Sequence, residues 1–222
     1  PTGVADSKCL TATRREELAE AIRDRAAATA VVEVPVERID DPETDMNGLT
    51  VAAHADALAA VLDDAEGGGE PADRNDTGDE PTGRTAADEH EPAAYLDAAD
   101  TNAVRFERRV LAALDSSLDL RAEHSADESY PVVSAASILA KVSRDAHVAD
   151  LATEYGDVGS GYPGDPTTRK FLEAFVGEHG HLPACARASW QTSRDVLAAQ
   201  GQAALTDFEE ETEHDQRSLS EF

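Results

Sequence analysis

Two aspartates stand at positions where a carboxylate can do chemistry. Asp97 closes the run Tyr95-Leu96-Asp97-Ala98. An ionised carboxylate in an apolar strand is costly unless it has a partner, often a metal. A strand-end Asp that caps the next loop explains the same residue, and the residues alone leave both readings open. Asp100, three positions on, faces the other side of an extended strand and reads as a turn residue. Asp127 precedes the run Ser129-Tyr130-Pro131-Val132-Val133-Ser134-Ala135-Ala136-Ser137-Ile138-Leu139-Ala140-Lys141. A carboxylate at a helix entrance interacts well with the helix dipole, so capping alone accounts for it. Ser134, Ser137 and Lys141 fall at i, i+3 and i+7, on one helix face that can approach phosphates or face solvent. Gly159-Ser160-Gly161-Tyr162-Pro163 is a rigid turn displaying one aromatic ring. Its glycines permit close backbone approach to a ligand. The Tyr can stack on a sugar or base, or simply cover the core. His179 and His181 form a pair without further ligands nearby in sequence and read as surface histidines.

The elements that must carry these residues alternate between helix and strand. Thr13-Arg-Arg-Glu16 forms a capping box for a helix with Leu18, Ala21 and Ile22 at helical spacing. Val32, Val34 and Val36 alternate as in a strand. Residues 49–62 predict a helix with Leu49, Leu58, Val61 and Leu62 on its apolar side. Residues 93–98 predict a short buried strand, and Leu118, Leu120 and Ala122 a second. Asn102 is placed to cap a helix bearing Phe106, Val110 and Leu114. Residues 131–154 predict a long helix, with Pro131 tolerated in its first turn. Asp165-Pro166 opens another, with Phe171, Leu172 and Phe175 on its core face, and a last helix contains Trp190, Val196 and Leu197. The alternation reads as α/β with a helical C-terminal part.

The chain has 222 residues, of which 41% are hydrophobic, enough for a buried core. Residues 63–91 hold eleven acids, two Arg and no Leu, Ile, Val, Met or aromatic residue, which predicts a disordered acidic insertion. Each flanking half is too small to fold alone, so residues 1–200 are read as one domain. Residues 201–222 form a flexible acidic tail. Acids outnumber bases 46 to 19, for a formal charge of −27, and only three bases are Lys. That balance matches surfaces from high-salt cytoplasm, where carboxylates hold water and counterions. At molar salt the Debye length is only ~3 Å, so net charge does not exclude a nucleic-acid site. Cys9 and Cys185 cannot build a disulfide framework or a zinc cage, and a cytoplasmic, reducing compartment is expected.

Taken together, Ala126-Asp127 with Tyr130 through Asp145, then Tyr155-Gly156, Gly159 through Pro163, Asp165-Pro166 and Arg187-Ala188-Ser189-Trp190, closely resemble archaeal ribonuclease HII. Asp6-Ser7-Lys8-Cys9-Leu10-Thr11 is similar to that family's DSKKLT segment, and Tyr95 through Asp100 to its strand with a catalytic Asp. The resemblance spans roughly residues 3–62 and 93–200. It implies a ribonuclease H-like mixed sheet flanked by helices. It also implies cleavage of RNA in RNA–DNA hybrids, and of single ribonucleotides in duplex DNA, with Mg²⁺ or Mn²⁺ held by four carboxylates. Carried over by position, Asp97 and Asp127 are catalytic metal ligands, and Tyr162 reads the ribose at the RNA–DNA junction. Lys8, Ser134 and Lys141 fall beside the substrate backbone. The terminal Gln216, Leu219 and Phe222, at i, i+3 and i+6, are similar to a sliding-clamp-binding box, which inserts apolar anchors of one helical turn into a groove.

One departure stands out. The family opens with a strand bearing an Asp-Glu pair and a Gly-Arg-Gly motif, and no DEAGRG-like segment occurs between Pro1 and Phe222. The expectation is a natural product with an upstream segment. The alternative function is a non-catalytic, hybrid-binding or clamp-tethered remnant.

Overall fold

The computed structural model describes residues 10–67, 93–114 and 118–202. The predicted insertion beyond Gly67, Lys8, and the tail motif Gln216, Leu219 and Phe222 lie outside the described residues. Helices and strands follow in the order α1 (Ala12–Arg23), α2 (Val36–Asp40), α3 (Met46–Gly67), β1 (Ala93–Asp97), α4 (Ala103–Ala113), β2 (Asp119–Glu123), α5 (Ala126–Ser129), α6 (Pro131–Tyr155) and α7 (Pro166–His179). Residues 191–202 form a further helix, α8. Two compact units result. The first takes the described residues up to Glu33 and Asp45–Arg144; the second takes Val34–Thr44 and those from Asp145 on.

In the first unit, β1 and β2 pair in parallel, with Ala93 opposite Asp119 and Asp97 opposite Glu123. Parallel neighbours need a crossover, and α4 supplies it. Asn102 starts α4 by accepting the Arg105 N–H at 2.9 Å, as expected of a helix cap. Period-2 alternation then sends Leu96, Leu120 and Ala122 to one face. They bury against Phe106 and Val110 of α4 and Val51 and Ala55 of α3. The outer N–H of Ala122 is satisfied by Glu107 of α4, at 3.0 Å. Tyr95, Asp97, Arg121 and Glu123 occupy the opposite face. A second cluster joins Leu18 and Ala19 of α1 to Ile138 and Leu139 of α6.

In the second unit, Leu172 and Val176 of α7 pack on Val196 of α8. Asp165 caps α7 by accepting the Thr167 N–H at 3.0 Å, and Gly180 ends it in the left-handed conformation. Asp40, at the end of α2, accepts the amides of Ala188 (2.5 Å) and Ser189 (3.1 Å). Partial burial opposes its charge, but bonds from the Ser189 hydroxyl and these amides, with Arg187 nearby, bring its pKa below the ordinary value.

Four local expectations are corrected. The cap of α1 is Thr11, whose hydroxyl accepts the Arg14 N–H, not Thr13. Leu10 packs against the α1 cluster and Arg15 binds its carbonyl at 2.7 Å, which fixes the earlier start. The alternating valines form no strand among the described residues, and the third of them, Val36, opens α2 directly after Pro35. Residues 63–67 continue α3 rather than opening the insertion. Leu114 ends α4 as its cap rather than lying within it. Among the described residues, no helix is long and apolar enough to cross a membrane.

Candidate active site

The chain leaves β2 at Glu123 and turns sharply. Ser125 takes φ 55°, the left-handed region, and is the one non-glycine to do so among the described residues. That turn starts α5 at Ala126, whose side chain is buried and whose N–H is donated to Asp97 Oδ1 at 3.3 Å. Asp127 follows directly. Asp97 and Asp127 are thereby held at the carboxyl end of two parallel strands, where open α/β sheets place their ligands. Asp97 is exposed and Asp127 half-buried. This corrects the expectation of an Asp97 embedded in apolar surroundings: only Leu96 of β1 is buried.

Two further contacts brace Asp127. Its carbonyl accepts a short hydrogen bond from the Ser134 hydroxyl, one turn into α6. Tyr130, between α5 and α6, stacks on Tyr95 of β1 at 4.1 Å and donates its hydroxyl to Glu123 at 2.9 Å. Glu123 was missed by sequence reasoning. The signal was present: it alternates with Leu120 and Ala122, and parallel register sets it beside Asp97. Arg121 also stands 3.9 Å from the Glu123 carboxylate.

The donor set suits a hard divalent ion. It offers carboxylate oxygens, accessible to solvent, and no Lys or Arg among the described residues pairs with Asp97 or Asp127. Among the described residues no group of three or more ligating side chains assembles.

The predicted helix face of Ser134, Ser137 and Lys141 divides. Ser134 is only 3% exposed and engaged with Asp127, because its side of α6 turns into the protein. That bond occupies the hydroxyl expected beside the substrate backbone. Ser137 and Lys141 are half-buried, and Lys141 Nζ donates to Ser137 Oγ at 3.2 Å.

Asp100 is a turn residue, as expected, but it is also buried. It accepts the Asn102 amide and a forked pair of bonds from Arg105, the shortest 2.6 Å. Chiefly the guanidinium hydrogen bonds hold its pKa down at about 2.

Tyr162 belongs to the second unit, where it is 59% exposed. The glycines at 159 and 161 have φ of +68° and +72°, which L side chains rarely adopt. Bonds from Ser160, by side chain and by backbone, hold the Asp165 carboxyl at about 2. Arg187 stacks over Trp190 at 5.0 Å. His179 and His181 are exposed and lie against the Phe175 ring, in accord with surface histidines.

Comparison with known proteins settles the family. The sequence pattern of ribonuclease HII matches residues 1–66 and 90–193. The chain belongs to the ribonuclease HII family. It is 51% identical over 208 residues to the ribonuclease HII of Haloarcula marismortui, covering 94% of this chain and 86% of that protein. The ribonuclease HII of Halobacterium salinarum is 52% identical over 209 residues, with the same coverage. Among solved structures, ribonuclease H2 from Pyrococcus horikoshii superposes with a TM-score of 0.72 at 33% identity, covering 89% of this chain and 82% of that one. The ribonuclease HII in a complex with PCNA from Archaeoglobus fulgidus gives 0.67 at 32% identity, covering 87% and 80%. The fold is thus that of the ribonuclease H2 enzymes, helix-flanked α/β as expected, although among the described residues the sheet is two parallel strands rather than a mixed one. Membership makes the chain an endoribonuclease acting on RNA–DNA hybrids, dependent on divalent metal. No finding favours the non-catalytic alternative.

Proposed function

We propose that the chain hydrolyses the RNA strand of RNA–DNA hybrids, and duplex DNA at single embedded ribonucleotides, with Mg²⁺ or Mn²⁺ held in part by Asp97 and Asp127. The observation that carries this reading is the Asp97–Ala126 hydrogen bond, which ties the end of β1 to the residue preceding Asp127. Bound divalent ions supply an activated water and a stabilised leaving oxygen for phosphodiester hydrolysis. The protein's share is to fix two carboxylates with their oxygens accessible. Ser134 and Tyr130 serve that end through the backbone around Asp127.

Lys141 and Lys8 are proposed to face the substrate backbone, as point charges suited to phosphate. Tyr162 packs on the ribose at the RNA–DNA junction; the 2′-hydroxyl is what marks a ribonucleotide in DNA. Its 59% exposure keeps it accessible to a nucleic acid. Gln216, Leu219 and Phe222 are proposed to dock a sliding clamp, a reading supported by the PCNA complex of the Archaeoglobus protein. A cytoplasmic location accords with this work.

The test is Asp127→Asn, which keeps shape and removes charge. Cleavage of a hybrid duplex in Mg²⁺ or Mn²⁺ is expected to be nearly eliminated, with the circular-dichroism spectrum and melting unchanged. Retained cleavage by a folded variant overturns the assignment.

A further inference from the structure

The loop that carries Tyr162 is bound at its base to the first turn of α7. The Thr168 hydroxyl donates to the Val158 carbonyl at 2.9 Å and accepts the Gly161 amide at 2.9 Å. Asp165 Oδ2 accepts the Ser160 amide at 2.5 Å, and the Asp165 amide donates to the Tyr162 carbonyl at 3.0 Å. Four backbone groups between Val158 and Tyr162 are thus fixed by two residues of one helix start. The approach is close: a Cβ on Gly159 would lie 2.7 Å from both Asp165 Oδ2 and the Thr168 amide. Thr168 is 7% exposed, while Tyr162 above it is 59% exposed. A buried clasp beneath an exposed ring is how a binding side chain is pre-organised, since ordering is completed before the ligand arrives.

We infer that Thr168, together with Asp165, is a positioning residue that sets selectivity for a lone ribonucleotide by fixing the loop under Tyr162. The inference rests on the reading of Tyr162 given above. Neither residue needs to touch the substrate. Thr168→Val keeps the shape of the side chain but leaves the Val158 carbonyl and Gly161 amide without their partner. Thr168→Ser keeps the hydroxyl.

The test is binding of the full chain in EDTA to two labelled duplexes, one all-DNA and one with a single ribonucleotide, read as a ratio of Kd values. The unmodified chain is expected to prefer the ribonucleotide duplex. Thr168→Val is expected to reduce that preference about tenfold, short of the ~100-fold that a 1 Å misplacement can cost. Thr168→Ser is expected to restore it. Tyr162→Ala is expected to abolish it, and the double variant Thr168→Val with Tyr162→Ala to lose nothing more. If Thr168→Val leaves the ratio unchanged, or weakens both duplexes equally, while Tyr162→Ala still abolishes the preference, the clasp inference fails and Tyr162 stands. Absence of any preference in the unmodified chain, or an unaltered preference in Tyr162→Ala, overturns both. Should Thr168→Val not fold, Asp165→Ala carries the same comparison, because it removes the oxygen that accepts the Ser160 N–H.

Discussion

The carboxylate of Asp97 and the backbone amide of Ala126 meet at 3.3 Å, across 29 positions of sequence. One oxygen of Asp97 therefore organises α5, while the carboxylate as a whole carries the charge assigned to metal binding. Two substitutions separate these roles. Asp97→Asn keeps an oxygen acceptor and loses the charge; Asp97→Ala loses both. Cleavage by each is expected to fall by about 10²–10³-fold, for several kcal/mol of charge stabilisation at about 1.4 kcal/mol per tenfold. Urea unfolding should place Asp97→Ala about 1 kcal/mol below Asp97→Asn, the net worth of a hydrogen bond. Equal unfolding midpoints would show that the bond organises nothing.

Ser134 offers a separate check, since its hydroxyl is spent on the Asp127 carbonyl. Ser134→Ala is expected to cost about 1 kcal/mol of stability. If Ser134 acts through Asp127, the half-saturating Mg²⁺ concentration should rise, by about 10-fold for a residue that orients a ligand. KM for the hybrid should then change little. A raised KM with unchanged metal dependence would return Ser134 to the substrate backbone.

The sequence made legible what is decided locally. Asn102 and Asp165 cap the helices they were expected to cap, and Pro131 opens α6, because a cap uses groups within three residues of itself. Leu118, Leu120 and Ala122 alternate into the core because a strand's side chains alternate whatever lies beyond it. The valines at 32, 34 and 36 carry the same pattern, yet no neighbouring strand pairs with 32 and 34 among the described residues, and Val36 begins α2. The candidate site was legible as residue types but not as surroundings. That Asp97 is exposed, that Ser134 is buried and that Glu123 stands beside Asp97 all depend on pairing and packing between distant segments. Residue spacing along one element carries no trace of them.

Asp100 and Arg105 set an acid-side dependence of stability. The Asp100 carboxyl, ordinarily titrating at 3.8, is held at about 2 in the folded chain. A carboxylate with a depressed folded pKa stabilises fully above its unfolded value, and the contribution is lost as pH falls through the folded one. Urea midpoints measured from pH 5 to pH 2 should therefore decline over about pH 4 to 2, where the unfolded chain binds the extra proton. Asp100→Asn should flatten part of that decline, Asp165 supplying another part in the same direction. A decline of undiminished slope in Asp100→Asn would place the titration elsewhere.

Phe106 supports the face of the sheet opposite Asp97. It is 1% exposed and meets His54 edge-on at 5.1 Å. Its neighbours include Leu96 and Leu120, one from each strand. Phe106→Ala is expected to destabilise by about 3–5 kcal/mol and Phe106→Leu by about 1.5 kcal/mol or less, since a near-volume replacement leaves a smaller void. Asp97 directly follows Leu96 and points the other way, so slackening under Leu96 should reach the carboxylate only through the backbone. The expected pattern is a large fall in melting temperature with kcat nearly unchanged at temperatures where the variant remains folded. If kcat falls in the folded variant as well, core packing and carboxylate placement are coupled, and the strand transmits strain across its own thickness.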